Sequence, residues 1–432
     1  MNICIVGSGY VGLVAGTCLA DFGMNVTCVD SDKNKIEALK KGEVPIYELG
    51  LSDMIQRNLK LERLHFTTDL KDAVKRSLVI FLAVGTPQDK SGKADLRQIF
   101  DVCEKIADHI TEYKVLICKS TVPVGTSAAI EKLIKKKQKN NIEFDVISNP
   151  EFLREGSAVN DFLQPDRVVV GCKSERARAI IHDIYRSLYI TDTPFIDCSN
   201  ETAELIKYAA NTMLALKISY INEIANLCEL IGADITQVGT AVGLDSRIGP
   251  HFLHPGPGFG GSCLPKDVSA INEVANKNNF EFKLAQAVME INKRQQDIIV
   301  EKSKTVLGNL KDKKICLLGL AFKPNTDDVR DAPAIYIAQK LSEQGAIINT
   351  YDPVAMNEAK KVLPDLNYFD DTYSACTDSD LIIIITDWNE FQHLDFEKIK
   401  DLVKEKNIMD TRNIYNPNLL KSAGFRYLGT GR

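Results

Sequence analysis

Six residues near the start, Gly7-Ser8-Gly9-Tyr10-Val11-Gly12, constrain this 432-residue chain more than any other run. Residues 2–6 (Asn-Ile-Cys-Ile-Val) lead into them and read as a short buried strand. A helical stretch follows over residues 13–22, and a second apolar strand over 25–29 ends in Asp30. Strand, G-x-G-x-x-G, helix, strand and acid in that order make a dinucleotide-binding βαβ fingerprint. Gly7, Gly9 and Gly12, with Tyr10 and Val11 between them, permit a tight turn and the close approach of a pyrophosphate to a helix N-terminus. Asp30 is placed to accept hydrogen bonds from the adenosine ribose. Its charge repels a 2′-phosphate, so the pattern selects NAD over NADP. The plain alternative is a Rossmann-type domain without a cofactor.

Apolar strands continue to alternate with helical stretches up to about residue 196, over 78–84, 115–118, 144–147 and 168–171. Such alternation predicts a parallel, doubly wound sheet. Ligands of these sheets bind beyond the carboxyl ends of the strands. Two loops stand there, Val84-Gly85-Thr86-Pro87 and Ser120-Thr121-Val122-Pro123, making Thr86 and Thr121 candidate cofactor contacts or simple strand exits. From about residue 313 the opening arrangement recurs. Strands are expected over 315–318, 347–351, 381–385 and 408–409, with a helix over 332–344, and Asp352 ends its strand as Asp30 does. This second α/β region lacks the full glycine fingerprint, which points to a nucleotide other than NAD. Its loop from Phe322 to Arg330 offers Lys323 and Arg330 for phosphates.

Between the two lie long helices expected over 201–231, with Ser199 or Asn200 as N-cap, and over 286–307. Lys207 and Asn211 share one face of the first at i,i+4 spacing. Leu205, Ile206, Ala209, Ala210, Met213 and Leu214 surround them, so the lysine is drawn towards a site. The run Gly258-Phe259-Gly260-Gly261-Ser262-Cys263-Leu264-Pro265-Lys266-Asp267 sets one cysteine before a helix start, where Pro265 fits the first turn. A thiol at a helix N-terminus beside a lysine should hold more thiolate, as a nucleophile does. The alternative is a buried small hydrophobe in a glycine-rich loop. The fold class is therefore α/β, with two Rossmann-like doubly wound parallel-sheet domains (1–196 and 312–432) joined by a central α-helical domain (197–311) that offers a dimer surface.

Composition narrows the function classes. A net charge of −5 gives no reason to expect nucleic acid or a membrane surface as partner. No apolar run approaches the roughly 20 residues that span a bilayer, and no signal peptide is read at the start. The eleven cysteines are scattered without a C-x-x-C pair, and the six histidines do not cluster. Reduced thiols in a cytoplasmic enzyme without a metal are expected.

Taken together, these motifs resemble the nucleotide-sugar 6-dehydrogenase (UDP-glucose/GDP-mannose dehydrogenase) family along the whole chain. The glycine loop, the two threonine loops, Asn149-Pro150-Glu151-Phe152-Leu153-Arg154-Glu155-Gly156, Lys207 to Asn211, Arg247-Ile248-Gly249, the Cys263 run and the Phe322–Arg330 loop carry the likeness in order. The resemblance implies a four-electron oxidation of a sugar C6 alcohol to a carboxylate by two NAD, through a thiohemiacetal and a thioester on Cys263. It implies that Lys207 and Asn211 stabilise an oxyanion, that Asp267 and Thr121 position water, and that Glu151 is a general acid/base. It implies NAD contacts at Asp30, Lys35, Thr86, Thr121, Glu155, Lys266 and Arg330. Lys35, in the helix after Asp30, has otherwise the look of a solvated lysine. Sugar-nucleotide contacts are implied at Glu151, Phe152, Leu153, Arg154, Glu155, Lys207, Asn211, Phe252, Leu253, His254, Pro255, Gly256, Gly260 and Lys323. Arg247 would reach the substrate of the other subunit of a homodimer. The approach to Cys263 resembles enzymes that take UDP-glucose, with GDP-mannose and UDP-N-acetylhexosamines as alternatives. A two-electron β-hydroxyacid dehydrogenase needs neither the cysteine nor the second α/β region. An NAD-sensing scaffold would be expected to lack Cys263, Lys207 or Asp267.

Overall fold

Alternate residues of the first strands point to opposite faces of a sheet, and both faces are covered. The computed structural model describes residues 1–89 and 92–432. Strands β1 (Asn2–Val6), β4 (Val79–Leu82) and β5 (Lys114–Cys118) are buried almost throughout. Ile3, Ile5, Phe81, Val115 and Ile117 pack on one side with Leu13, Val14 and Cys18 of the helix Tyr10–Asp21. Cys4, Ile80, Leu82, Leu116 and Cys118 pack on the other with Ile99, Cys103, Ile130 and Ile134. Strands covered on both faces read as unbroken apolar runs, which is why they were legible.

The chain divides into two compact units, Met1–Ala210 and Asn211–Arg432, with the boundary inside the helix Asn200–Ile231. The first unit adds β2 (Asn25–Val29), β3 (Leu64–Thr67), β6 (Phe144–Ser148), β7 (Val168–Gly171) and β8 (Phe195–Cys198), in the order β3-β2-β1-β4-β5-β6-β7-β8. All neighbours run parallel except β6 and β7, which meet antiparallel at Ser148 and Gly171 alone. The amide of Asn200 takes the place of a full strand beside β6. It accepts from Ser148 N–H at 3.2 Å and donates to Val146 C=O at 3.1 Å. The expected parallel sheet is present, with this one reversal added.

The second unit holds the sheet β11-β10-β9-β12-β13-β14, parallel throughout, formed by β9 (Lys314–Leu318), β10 (Ile347–Tyr351), β11 (Asn367–Tyr368), β12 (Leu381–Ile384), β13 (Asn407–Asp410) and β14 (Arg426–Gly429). The helix Leu264–Lys277 and the long helix Lys283–Leu307 belong to the same unit. The helix after the glycine loop begins at Tyr10, three residues before the expected start, because Gly9 is its N-cap. Ser199 caps the helix Asn200–Ile231, its hydroxyl accepting from Thr202 N–H at 3.2 Å.

Asp352 is the keystone of the second sheet. Its buried carboxylate accepts from the N–H groups of Leu320 (2.7 Å), Ala321 (3.0 Å), Val354 (3.0 Å) and Ala355 (2.8 Å), and from the indole of Trp388 (3.1 Å). Removing it leaves buried donors unpaired, each of which costs about 1–3 kcal/mol. Asp352→Ala should therefore lose at least about 3 kcal/mol of stability. Urea unfolding followed on the fluorescence of Trp388, the chain's single tryptophan, measures this.

Candidate active site

The dinucleotide loop is built by close backbone approach. Gly7 has φ of 102°, and a Cβ on Gly12 would strike the Gly7 carbonyl oxygen. Nothing lies within 4 Å of the place where a Cβ on Gly9 would stand, and no side chain caps the helix that begins there. Asp30, at the end of β2, accepts from Ser8 N–H at 2.9 Å, Asp32 N–H at 3.1 Å and the Lys35 ammonium at 3.1 Å. Burial opposes its ionisation, but the Asp32 and Ser8 N–H groups and Lys35 outweigh that and hold the carboxyl below its ordinary value. Open helix amides with an ionised acid beside them fit NAD: phosphates on Gly9 to Gly12, ribose on Asp30. Lys35 is thus brought to the acid rather than left in solvent. The Tyr10 hydroxyl donates to the buried Glu48 carboxylate, and Gly156 N–H donates to both, at 2.9 and 2.7 Å.

At the carboxyl ends of β4 and β5 the two threonine loops are tied together. The Thr86 hydroxyl donates to Thr121 C=O at 2.9 Å, and Ser120 to Val84 C=O at 2.7 Å. Beyond β6, Glu151 and Lys207 form an ion pair at 3.0 Å, with side chains 6% and 5% exposed. The second carboxylate oxygen of Glu151 accepts from Leu153 N–H at 2.6 Å. The Lys207 ammonium stands 5.3 Å from the Phe152 ring centre, and Arg167 covers the same ring at 3.7 Å. Glu204, one turn before Lys207, accepts from Gly125 N–H (2.6 Å), Ser127 N–H (2.8 Å) and the Ser127 hydroxyl (2.7 Å). It so anchors the Lys207 helix to the N-terminus of the helix Thr126–Lys137.

In the second unit, Cys263 is the N-cap of the helix Leu264–Lys277, with Pro265 in its first turn as expected. Nine of the eleven cysteines are buried; Cys263 and Cys198 are not. Asp267, 1% exposed, accepts from the Asn211 amide at 2.6 Å and from the Lys266 ammonium at 2.5 Å. Asn211 is one turn on from Lys207 along the helix Asn200–Ile231. Gly261 N–H donates to Arg330 C=O at 2.8 Å, and Gly260 backs onto the backbone of Asp331 and Ala332. The loops carrying Cys263 and Lys323 are therefore neighbours, the Lys323 ammonium lying 5.5 Å from the Phe322 ring centre. Leu253, Pro255 and Gly256 are buried, Phe252 is half-buried with φ of 64°, and His254 is exposed. Arg154, Arg247 and Arg330 each chelate a nearby aspartate: Asp161, Asp245 and Asp328. Glu155 lies on the segment between Arg154 and Gly156.

Two residues escaped the reading of the sequence. Arg412, just past β13, donates to Ile385 C=O at 2.7 Å and sets its guanidinium against Gly256, at the edge where a ligand of the second sheet would lie. Lys119, just past β5, is buried with its ammonium on Asn149 Oδ1 (3.0 Å) and the Tyr185 hydroxyl (3.2 Å). A lysine closing an apolar run and preceding Ser120-Thr121 was the available signal.

Three family models match in order: residues 1–189 the NAD binding domain, 201–294 the central domain and 316–417 the UDP binding domain of the UDP-glucose/GDP-mannose dehydrogenase family. The chain belongs to this family. It is an NAD-dependent oxidoreductase with two parallel-sheet α/β regions and a helical region between them. Among its relatives, UDP-glucose 6-dehydrogenase TuaD of Bacillus subtilis (strain 168) is 47% identical over 432 residues, covering all of this chain and 93% of that protein. UDP-glucose 6-dehydrogenase of Rhizobium meliloti (strain 1021) is 45% identical over 436 residues, covering all of both. A solved structure of a UDP-glucose dehydrogenase from the hyperthermophilic archaeon Pyrobaculum islandicum superposes with a TM-score of 0.93 at 36% identity, covering 99% of this chain and 97% of that one.

Burial pulls the Lys119 ammonium down from 10.5 to about 8; the Glu151 charge resists and the Lys207 charge adds to the fall. The unfolded chain keeps this proton up to its higher ordinary value. Between those limits the unfolded state binds more protons, so folding gains as pH rises. The stability of the wild type relative to Lys119→Met should therefore climb from pH 8 towards 10.5. Unfolding by circular dichroism across that range measures the slope.

Proposed function

We propose that this chain oxidises the C6 alcohol of UDP-glucose to the carboxylate, forming UDP-glucuronate. The observation that carries the reading is the full-length identity to UDP-glucose 6-dehydrogenases. NAD, when bound, would supply the hydride acceptor for both oxidations. The chain's own residues do the rest. Glu151, paired with Lys207, moves the proton of the C6 hydroxyl, and the Lys207 ammonium opposes the charge that builds on that oxygen. In a nearly dry setting that charge acts strongly. Asn211 adds an amide donor.

The Cys263 thiolate then attacks the aldehyde carbon, forming a C–S bond and an oxyanion that takes a proton. Loss of the second hydride and of that proton leaves a thioester. Water, ordered by Asp267 and Thr121, attacks the thioester carbon. The C–S bond breaks and the thiolate is regenerated. The sum is one alcohol, two NAD⁺ and one water to one carboxylate, two NADH and three protons. The covalent link keeps the aldehyde from escaping, and hydrolysis makes the sequence irreversible.

The working form we propose is a cytoplasmic homodimer. Met213, Tyr220 and Leu227 are exposed apolar residues seven apart on the helix Asn200–Ile231, a spacing that lines one face for a second copy. Arg247, exposed nearby in sequence, is the residue that the family likeness assigns to the other copy's substrate.

With UDP-glucose limiting, two NADH should form per sugar, and Cys263→Ser should bind NAD yet fail to complete turnover. One NADH per sugar, or full turnover by the serine variant, would retire the thioester; no NADH would move the substrate to GDP-mannose or an N-acetyl sugar. For assembly, sedimentation should give a dimer for the wild type and a monomer for Tyr220→Glu. A monomeric wild type would remove the dimer.

A further inference from the structure

The loop before Cys263 has no helix or strand over residues 252–262. Residues 255–261 of it are buried all the same, and each buried backbone polar group needs a partner. Side-chain amides from two long helices supply them. Asn292, on the helix Lys283–Leu307, pairs with Phe259 in both directions. It accepts from Phe259 N–H at 2.7 Å and donates to Phe259 C=O at 3.0 Å. Gln295, one turn on, donates to Gly256 C=O at 3.1 Å, and its own oxygen accepts from Asn226 at 2.9 Å. Asn222, on the helix Asn200–Ile231, accepts from Gly256 N–H at 2.8 Å. Asn222, Gln295 and Asn292 are 0%, 1% and 7% exposed, so water does not compete for these bonds.

Asn292 copies the two-bond exchange that a neighbouring strand would make with Phe259. The fit is mutual. Gly258 has φ of 107°, and a Cβ there would come within 2.8 Å of Asn292 Oδ1. Three residues separate Phe259 from Cys263, Gly260 and Gly261 among them. Such a stretch has no stiffness of its own, so the place of the thiol depends on the points that hold it: the helix that Cys263 caps, the Gly261 N–H bond to Arg330 C=O, and Phe259.

We infer that Asn292 is a positioning residue for Cys263: through its paired bonds to Phe259 it sets where the thiol stands, with Gln295 and Asn222 fixing Gly256 behind it. This rests on the thioester reading above. The first oxidation, alcohol to aldehyde, makes no use of the thiol, and the second does. Loss of Asn292 should therefore divide the two steps, whereas a purely structural amide would weaken both alike. Small displacements of a reacting group cost about a hundredfold in rate.

The test is single-turnover NADH formation from UDP-glucose by Asn292→Ala, with the aldehyde trapped by hydrazine. Asn292→Asp, equal in size but without the donor to Phe259 C=O, stands in if the alanine variant does not fold. The second NADH should form about a hundredfold more slowly with the first little changed, and the yield should move from two NADH towards one. Alongside, the rate of Cys263 alkylation by iodoacetamide in the free enzyme is read by peptide mass spectrometry, with Cys198 as internal control. It should shift severalfold at Cys263 and stay constant at Cys198. Equal slowing of both steps, or unchanged steps, overturns the inference. Cys263→Ser is run in parallel. If that variant still forms the second NADH, the thioester reading has failed, and the alkylation rate alone decides whether Asn292 places the thiol: a shift upholds it and no shift overturns it.

Discussion

The hydrogen bond from a backbone N–H to a carboxylate at the end of a strand decides what each sheet can hold. Both sheets place an aspartate after their second strand, and the two are used differently. Asp352 is saturated by four backbone amides and an indole, and it locks the turn that follows β9. Asp30 accepts from two backbone amides and one lysine, and it stays ionised at the mouth of an uncapped helix. One acid is spent on its own fold, and the other remains available to a ribose. The match of the later region to a UDP binding domain, and of the earlier to an NAD binding domain, follows the same division.

The candidate site keeps its charges where water is scarce. Glu151 and Lys207 share their burial, and Asp267 is enclosed by Asn211 and Lys266. Burying one member of such a pair alone would be strongly unfavourable. These groups are therefore held by their need for each other as much as by packing. Lys119 is the exception. It has an amide and a phenol rather than a carboxylate as direct partners, and burial loosens its proton.

The fold was legible wherever burial was complete. The strands expected from apolar runs lie inside the two sheets, and their limits fall within a few residues. The four that went unread, β3, β8, β11 and β14, are the four outer strands. Each has one face or one end in solvent, so its side chains are mixed: Leu-His-Phe-Thr in β3, Arg-Tyr-Leu-Gly in β14. The same holds for the site. Cys263, Lys207 and Asp30 announced themselves by motif, and the structure places them at a helix N-cap, in a buried ion pair and at a strand end. The groups that hold them did not. Glu204 is an ordinary helix glutamate until Ser127 and Gly125 meet it, and Asn292 an ordinary asparagine until Phe259 does. Their partners are far away in sequence, and spacing alone cannot announce a contact of that kind.

The shortness of those outer strands has a consequence for the behaviour of the protein in a crowded solution. An exposed sheet border is a template on which another chain can add a strand. Here β3, β8 and β14 have four residues each and β11 has two. A border that brief offers an incoming segment few ladder bonds. Both sheets thus end in brief rims, which limits the template they offer to a neighbouring chain.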